Sequence, residues 1–174
     1  MADDGGTRGF DALTSMLYEQ LRKIAHRERS RAGRPETLQT TALINESYLK
    51  LRDHADFESR AHFLATAATA MRHVLVDAAR ARLSQKRGAG QGAASLDDVA
   101  EAANAEDCDV VSVSEALEGL AKLDPELARL VECRFFAGYS EEETGRILGM
   151  SDRTVRRHWV QAKAWLYREM TGAD

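Results

Sequence analysis

Apolar residues recur at helical spacing through most of the chain. Phe10, Leu13, Leu17, Leu21 and Ile24 make one stripe, and Leu64, Ala67, Met71, Val74 and Ala78 make another. Steps of three and four residues put each set on one face of an α-helix. Strand-like alternation is nearly absent, so the expected fold is all α. Gly33 and Pro35 separate the first helix from a second, amphipathic one in TLQTTALINESYLKL, residues 37 to 51. Asp53 to Ser59 reads as a short polar connection, after which a third, long helix runs to about Arg87. These three helices form an expected N-terminal module, residues 1 to 87.

From Gly88 the pattern fades. GAGQGAASLDDVAEAANAEDCDV is rich in Gly, Ala and acid and poor in large apolar side chains. Such a stretch buries too little surface to offset its ordering entropy. Residues 88 to 112 are therefore expected as a flexible acidic linker, the alternative being a short helix around Leu96 to Ala103. Helix signals resume at Ser114, and Asp124-Pro125 reads as an N-cap followed by proline at the first helical position. Residues 113 to 174 form a second helical module, and no internal repeat is present.

Within that module YSEEETGRILGMSDRTVRRHWVQAKAWL has the organisation of a helix-turn-helix. Ser140 and Glu143 stand at capping-box spacing. Gly149 suits the left-handed residue that ends a helix. Ser151 is placed to cap the next helix, with Asp152 in its first turn. Gly145 costs about 1 kcal/mol against alanine inside a helix, a cost that close approach of the partner helix would explain. Ile147, Leu148, Met150, Val155 and Trp159 are the expected contacts between the two helices. Arg153, Arg156 and Arg157 project early on the second helix and Lys163 two turns later, the layout by which a recognition helix meets base edges and phosphates in the major groove.

Charge sharpens this division. The chain of 174 residues has 44% hydrophobic residues, a globular proportion, and a formal net charge of -4, which argues against holding nucleic acid by bulk electrostatics alone. Residues 1 to 87 carry 15 Lys and Arg against 11 Asp and Glu; residues 88 to 112 carry none against six; residues 113 to 174 carry nine against 11. No apolar run approaches the ~18 residues that span a bilayer, and MADDGGTRGF lacks a secretory layout, so a cytoplasmic protein is expected. Cys108 and Cys133 stand apart from each other and from any histidine at ligand spacing, which indicates neither a disulfide framework nor a metal site. Scattered histidines, no glycine-rich phosphate loop and no nucleophile with a partner argue against an enzyme, and no cofactor is expected.

The third helix carries Arg72, His73, Arg80, Arg82, Lys86 and Arg87 against one acid, Asp77. That stripe suits a phosphate backbone or, equally, a solvated face. Just before it, Phe57, His62 and Phe63 stand near Arg60, either to stack an extruded base or to serve as core and loop anchors.

Three segments in order, ALINESYLKL, MRHVLVDAAR and LGMSDRTVRRHW, resemble the extracytoplasmic-function (ECF) class of bacterial sigma factors. TALINESYLKL and FLATAATAMRHVLVDAAR look like the branch called ECF-like sigma factors, and the resemblance covers nearly the whole chain. It implies a two-point promoter reader that recruits RNA polymerase core. By position, Arg153, Thr154, Arg156, Arg157 and Lys163 would read the minus-thirty-five element as duplex. The loop from His54 to Arg60, including Phe57, together with Arg72, His73, Asp77 and Arg80, would capture the melted minus-ten element. The linker, through Asp97, Asp98, Glu101, Glu106 and Asp107, would mimic nucleic acid inside the polymerase. Leu43, Asn45, Glu46 and Tyr48 would dock on a coiled coil of the largest polymerase subunit, and an anti-sigma protein that clamps both modules is a further conceivable partner.

One departure stands out. In the wider class the second helix opens with an acidic run, whereas this chain has Gln39, Thr40, Thr41 and Ala42 there. Each missing charge-assisted contact would weaken docking by ~1.5 to 3 kcal/mol. Either a threonine simply caps the helix, or a Ser/Thr protein kinase phosphorylates Thr41, with Thr40 as the neighbouring choice, and restores the charge. The competing function is a stand-alone helix-turn-helix regulator, which would leave the basic third helix and the segment around Glu46 unexplained.

Overall fold

The computed structural model describes residues 19, 46, 49–51, 57–88 and 97–172. The first predicted stripe, Phe10 to Ile24, lies almost wholly outside the described residues, as does the segment of Thr40 and Thr41. The described residues form helices and connections, with no strand among them. In chain order they are α1 (Arg60–Gly88), α2 (Asp97–Leu123), α3 (Pro125–Val131), a π-helical turn (Glu132–Phe136), α4 (Glu141–Leu148) and α5 (Asp152–Thr171).

α1 begins where the polar connection was expected to end. The Ser59 hydroxyl accepts from the His62 backbone N–H at 3.1 Å, and the Ser59 carbonyl accepts from Phe63 N–H at 3.0 Å. The helix is apolar round much of its circumference: Phe63, Ala67, Ala68, Met71, Val74 and Ala79 are all buried. His62, His73, Asp77 and Arg80 stay exposed on the remaining side, so the helix presents a broad apolar face to the core and a narrower polar one to solvent. The predicted stripe is correct for Ala67, Met71 and Val74, while Leu64 and Ala78 are half-buried at its margin.

The flexible linker expected over residues 88 to 112 is corrected for residues 97 to 112, which belong to the 27-residue helix α2. Alanines at 100, 102, 103 and 105 favour helix, and the missing burial is supplied from elsewhere in the chain. Val110, Val113, Leu117 and Leu120 join a cluster with Val76 of α1, Leu127 and Val131 of α3, Phe136 of the π turn, and Ala162 and Leu166 of α5. Asp107 pairs with Arg82. As residue number rises along α1 it falls along α2: Arg82 meets Asp107, and Arg72 meets Ser114.

α3 starts as read, with Asp124 Oδ1 accepting from Leu127 N–H at 2.9 Å and Pro125 at the start of the helix. It passes directly into the π turn, where the Ala137 N–H reaches back five residues to the Glu132 carbonyl at 2.9 Å. This wider turn sets Glu132, Cys133 and Phe136 inward. Cys133, Ala137 and Tyr139 pack with Leu51, Phe63, Ala67 and Met71 in a second cluster, to which Ile147 and Leu148 of α4 add. Tyr139 donates from its hydroxyl to the Leu64 carbonyl at 3.1 Å. Both clusters join α1 to the C-terminal half.

Candidate nucleic-acid interface

α4 and α5 meet through a turn built from local chemistry. The Ser140 hydroxyl accepts from Glu143 N–H at 3.1 Å, and the Glu143 carboxylate accepts from Ser140 N–H at 2.7 Å, a complete capping box. Gly149 ends α4 with φ 69, in the left-handed region. Ser151 caps α5, accepting from Thr154 N–H at 3.3 Å. Gly145 is buried, and a Cβ built there would lie 2.6 Å from the Met150 carbonyl oxygen. The close approach expected of the partner helix comes from the turn that leads into it. Val155 is fully buried. Trp159 packs on the cluster shared with α2, and the Arg134 and Lys163 cations sit 5.6 and 5.7 Å from its ring centroid.

On the outer side of α5, Arg153, Arg156 and Arg157 are exposed. Arg156 Nε donates to Glu141 Oε2 of α4 at 2.6 Å, bracing one helix against the other. That hydrogen bond, followed by the charge of Glu141, holds the Arg156 pKa above its ordinary value. The Thr154 hydroxyl lies 2.9 Å from Ser151 Oγ, inside the cap. Arg157 Nη2 lies 3.5 Å from His158 Nε2. The five residues expected at the minus-thirty-five element thus share one helix, with Arg153 and Arg157 presented outward, Arg156 tied to α4, and Lys163 folded toward Trp159.

The residues expected at the minus-ten element are engaged differently. Arg60 is exposed. Phe57 is half-buried, edge-on to Phe63 at 5.0 Å between centroids and to His62 at 5.8 Å, so it anchors the entry to α1. His54 lies outside the described residues. Arg72 points inward: its Nε is 3.0 Å from Glu132 Oε1, an ion pair whose N–H is not aimed along the contact, and its Nη1 donates to Ser114 Oγ at 3.3 Å. The other Glu132 oxygen accepts from the Thr69 hydroxyl at 2.7 Å. Arg80 Nη2 faces Glu115 at 3.8 Å, and Asp77 faces Lys50 at 3.4 Å. Arg82 grips Asp107 in a fork, Nε to Oδ2 at 2.9 Å and Nη2 to Oδ1 at 2.6 Å. His73 is exposed, yet partial desolvation, then the Arg72 and Lys50 charges, lower its pKa below the ordinary value.

The pairs to Glu132, Glu115 and Asp107 had no signal in local spacing, because each joins residues far apart in sequence. Of the expected polymerase contacts, Glu46 is helical and exposed, while Leu43, Asn45 and Tyr48 lie outside the described residues. Asp97, Asp98, Glu101 and Glu106 fall on α2 rather than in an unstructured chain. Among the described residues no cluster of His, Cys, Asp or Glu could hold a metal ion. Cys133 is buried, and desolvation pushes its thiol up to about 12.

Fold and site together define an all-α protein that carries a helix-turn-helix with an arginine-bearing second helix. The ECF sigma factor family model matches residues 1–172, and the chain belongs to that family. It is an RNA polymerase sigma factor, a transcription initiation factor of a family that binds polymerase core and promoter DNA. No curated protein and no solved structure matches the chain. No helix among the described residues is long and apolar enough to cross a membrane.

Proposed function

We propose that this sigma factor reads promoters at two points, residues 113 to 174 forming the minus-thirty-five head and residues 1 to 87 the head for the minus-ten element and core polymerase. The observation that carries the reading is the outward face of α5. Arg153 and Arg157 are exposed on a helix whose start is fixed by the Ser151 cap and whose orientation is braced by Arg156–Glu141. A positioned row of guanidinium groups suits guanine edges and phosphates in a major groove. Thr154 and Lys163 complete the set, and Phe57, Arg60, Arg72, His73, Asp77 and Arg80 serve the melted strand.

Core polymerase docks on the helix that carries Glu46, with Leu43, Asn45 and Tyr48. Phosphorylation of Thr41, or of Thr40, by a Ser/Thr kinase supplies the negative charge that the stretch Gln39 to Ala42 lacks. Transcription with defined core polymerase tests both statements. Added protein directs initiation at its promoter, Arg153→Ala with Arg157→Ala abolishes that initiation, and kinase-treated or Thr41→Glu protein binds core more tightly than Thr41→Ala. Specific footprinting by the protein without core would instead identify a stand-alone regulator. Equal core binding by all Thr41 forms would remove the kinase switch.

A further inference from the structure

Of the three arginines on the outer side of α5, Arg156 alone is held by a carboxylate among the described residues. The contact selects one part of the guanidinium. Glu141 Oε2 accepts from Nε at 2.6 Å, and Nη1 and Nη2 have no acceptor among the described residues. The Arg156 side chain stays 66% exposed, whereas that of Glu141 is 34% exposed. Glu141 is itself fixed, because it opens α4 directly after the Ser140 cap. Its neighbours are engaged elsewhere: Glu142 pairs with Arg146 on its own helix, and Glu143 closes the capping box. A guanidinium is planar, so holding Nε sets the plane in which both Nη groups lie. The edge that includes Nε is occupied, and the Nη1–Nη2 edge is left for a ligand with two acceptors side by side. Guanine O6 and N7 form such a pair in the major groove. A phosphate suits this edge less well, because its charge meets that of Glu141, and the charge of Asp152 also acts on Arg156.

We infer that Glu141 is a positioning residue for base recognition: from α4 it holds the Nε side of Arg156, so that the Nη1–Nη2 edge meets O6 and N7 of one guanine in the duplex read by α5. The inference rests on the reading of α5 as the recognition helix. It adds a residue outside that helix which decides sequence preference without touching DNA. A long, flexible arginine must be ordered before it discriminates between bases, and Glu141 does this ordering in the free protein. Released from Glu141, Arg156 still reaches DNA but takes phosphates, which carry no sequence information.

The test selects duplexes from a library randomised over the minus-thirty-five segment, using the full-length chain bound to defined core polymerase where the two co-elute and alone where they do not. Sequencing of the bound fraction gives the base preference at each position. Arg156→Ala marks the position that Arg156 reads, by loss of its guanine preference. Glu141→Ala is expected to reduce that same preference about tenfold and to leave the other positions unchanged. Glu141→Gln keeps an oxygen that can accept from Nε, and is expected to retain part of the preference. Glu142→Ala removes an acid of the same turn that pairs with Arg146, and is expected to select as the parent does. The second readout is the salt dependence of binding to a non-cognate duplex. Loss of Glu141 hands Arg156 to a phosphate, and is expected to steepen the slope of log affinity against log salt by about one. A brace that only holds α4 against α5 would lower affinity for all sequences alike. If Glu141→Ala weakens every sequence equally, or leaves the Arg156-dependent guanine as strongly preferred as in the parent, the inference is wrong. If Arg156→Ala alters no position while Arg153→Ala or Arg157→Ala does, Arg156 reads no base, and the inference fails with the reading of α5 intact. If none of the three arginine variants alters any position, the reading of α5 fails as well.

Discussion

α5 and α1 carry similar numbers of cations and use them in opposite ways. On α5 the arginines lie on an outer face, and their contacts are local: Arg156 reaches only to the adjoining helix, and Arg157 only to its neighbour. On α1 they are consumed by acids at long range, Arg72 by Glu132 and Arg82 by Asp107. The comparison teaches that a basic stripe in a sequence reports charge but not availability, because availability depends on which distant acid the fold brings alongside.

The largest effect expected from breaking this contrast is at the buried pair. Glu132→Ala leaves the Arg72 guanidinium without its carboxylate and the Thr69 hydroxyl with only the Ala65 carbonyl, and is expected to cost about 3 kcal/mol of stability in urea unfolding. A loss below ~1 kcal/mol would show that Arg72 is as free as the arginines of α5. Next is the turn that aims α5. Gly145→Ala pushes a methyl against the Met150 carbonyl and is expected to cost about 2 kcal/mol, despite the better helix propensity of alanine. A neutral result would mean that the turn yields, and α5 is then loosely aimed.

Arg153→Ala should leave stability within ~0.5 kcal/mol, as for other surface changes. It should weaken polymerase-dependent binding of minus-thirty-five duplex by about 1 kcal/mol in a competition assay. The reverse pattern at Arg153 would collapse the contrast with Arg72. The smallest effect concerns His73. Its folded pKa is lowered, mainly by desolvation and then by the Arg72 charge. The unfolded chain therefore takes up the proton first as pH falls, and the stability present above the unfolded value near 6.5 is lost as pH drops through the folded value. Thermal melts of His73→Gln should show a shallower decline from neutral to mildly acidic pH than the parent; identical slopes would show that the ring feels neither burial nor Arg72.

What was legible in the sequence is what depends on near neighbours. The Ser140–Glu143 box, the left-handed Gly149, the Ser151 cap and the Asp124-Pro125 start are each decided within four residues, and each stands in the structure as read. Family membership was legible too, from three segments in order. The helicity of residues 97 to 112 was not, because Val99 is the one large apolar residue of this acidic, alanine-rich stretch before Val110, and its stabilising partners, Arg82 and Val76, belong to another helix. Nor was the inward turn of Arg72, whose partner Glu132 lies 60 positions away and is presented by a local widening of the helix that no spacing announces.

That widening carries a geometric consequence. A π-helical segment holds one residue more than the α-helical path it replaces, so it sets the azimuth of everything downstream. Deleting one residue between Cys133 and Phe135 would let an ordinary helix close, and would rotate α4 and α5 by about 100° about the preceding axis relative to α1. The exposed arginines of α5 would then point along a different bearing with the Ser151 cap and the Arg156–Glu141 brace intact, so the angle between the arginine-bearing face of α5 and α1 is governed by a single supernumerary residue.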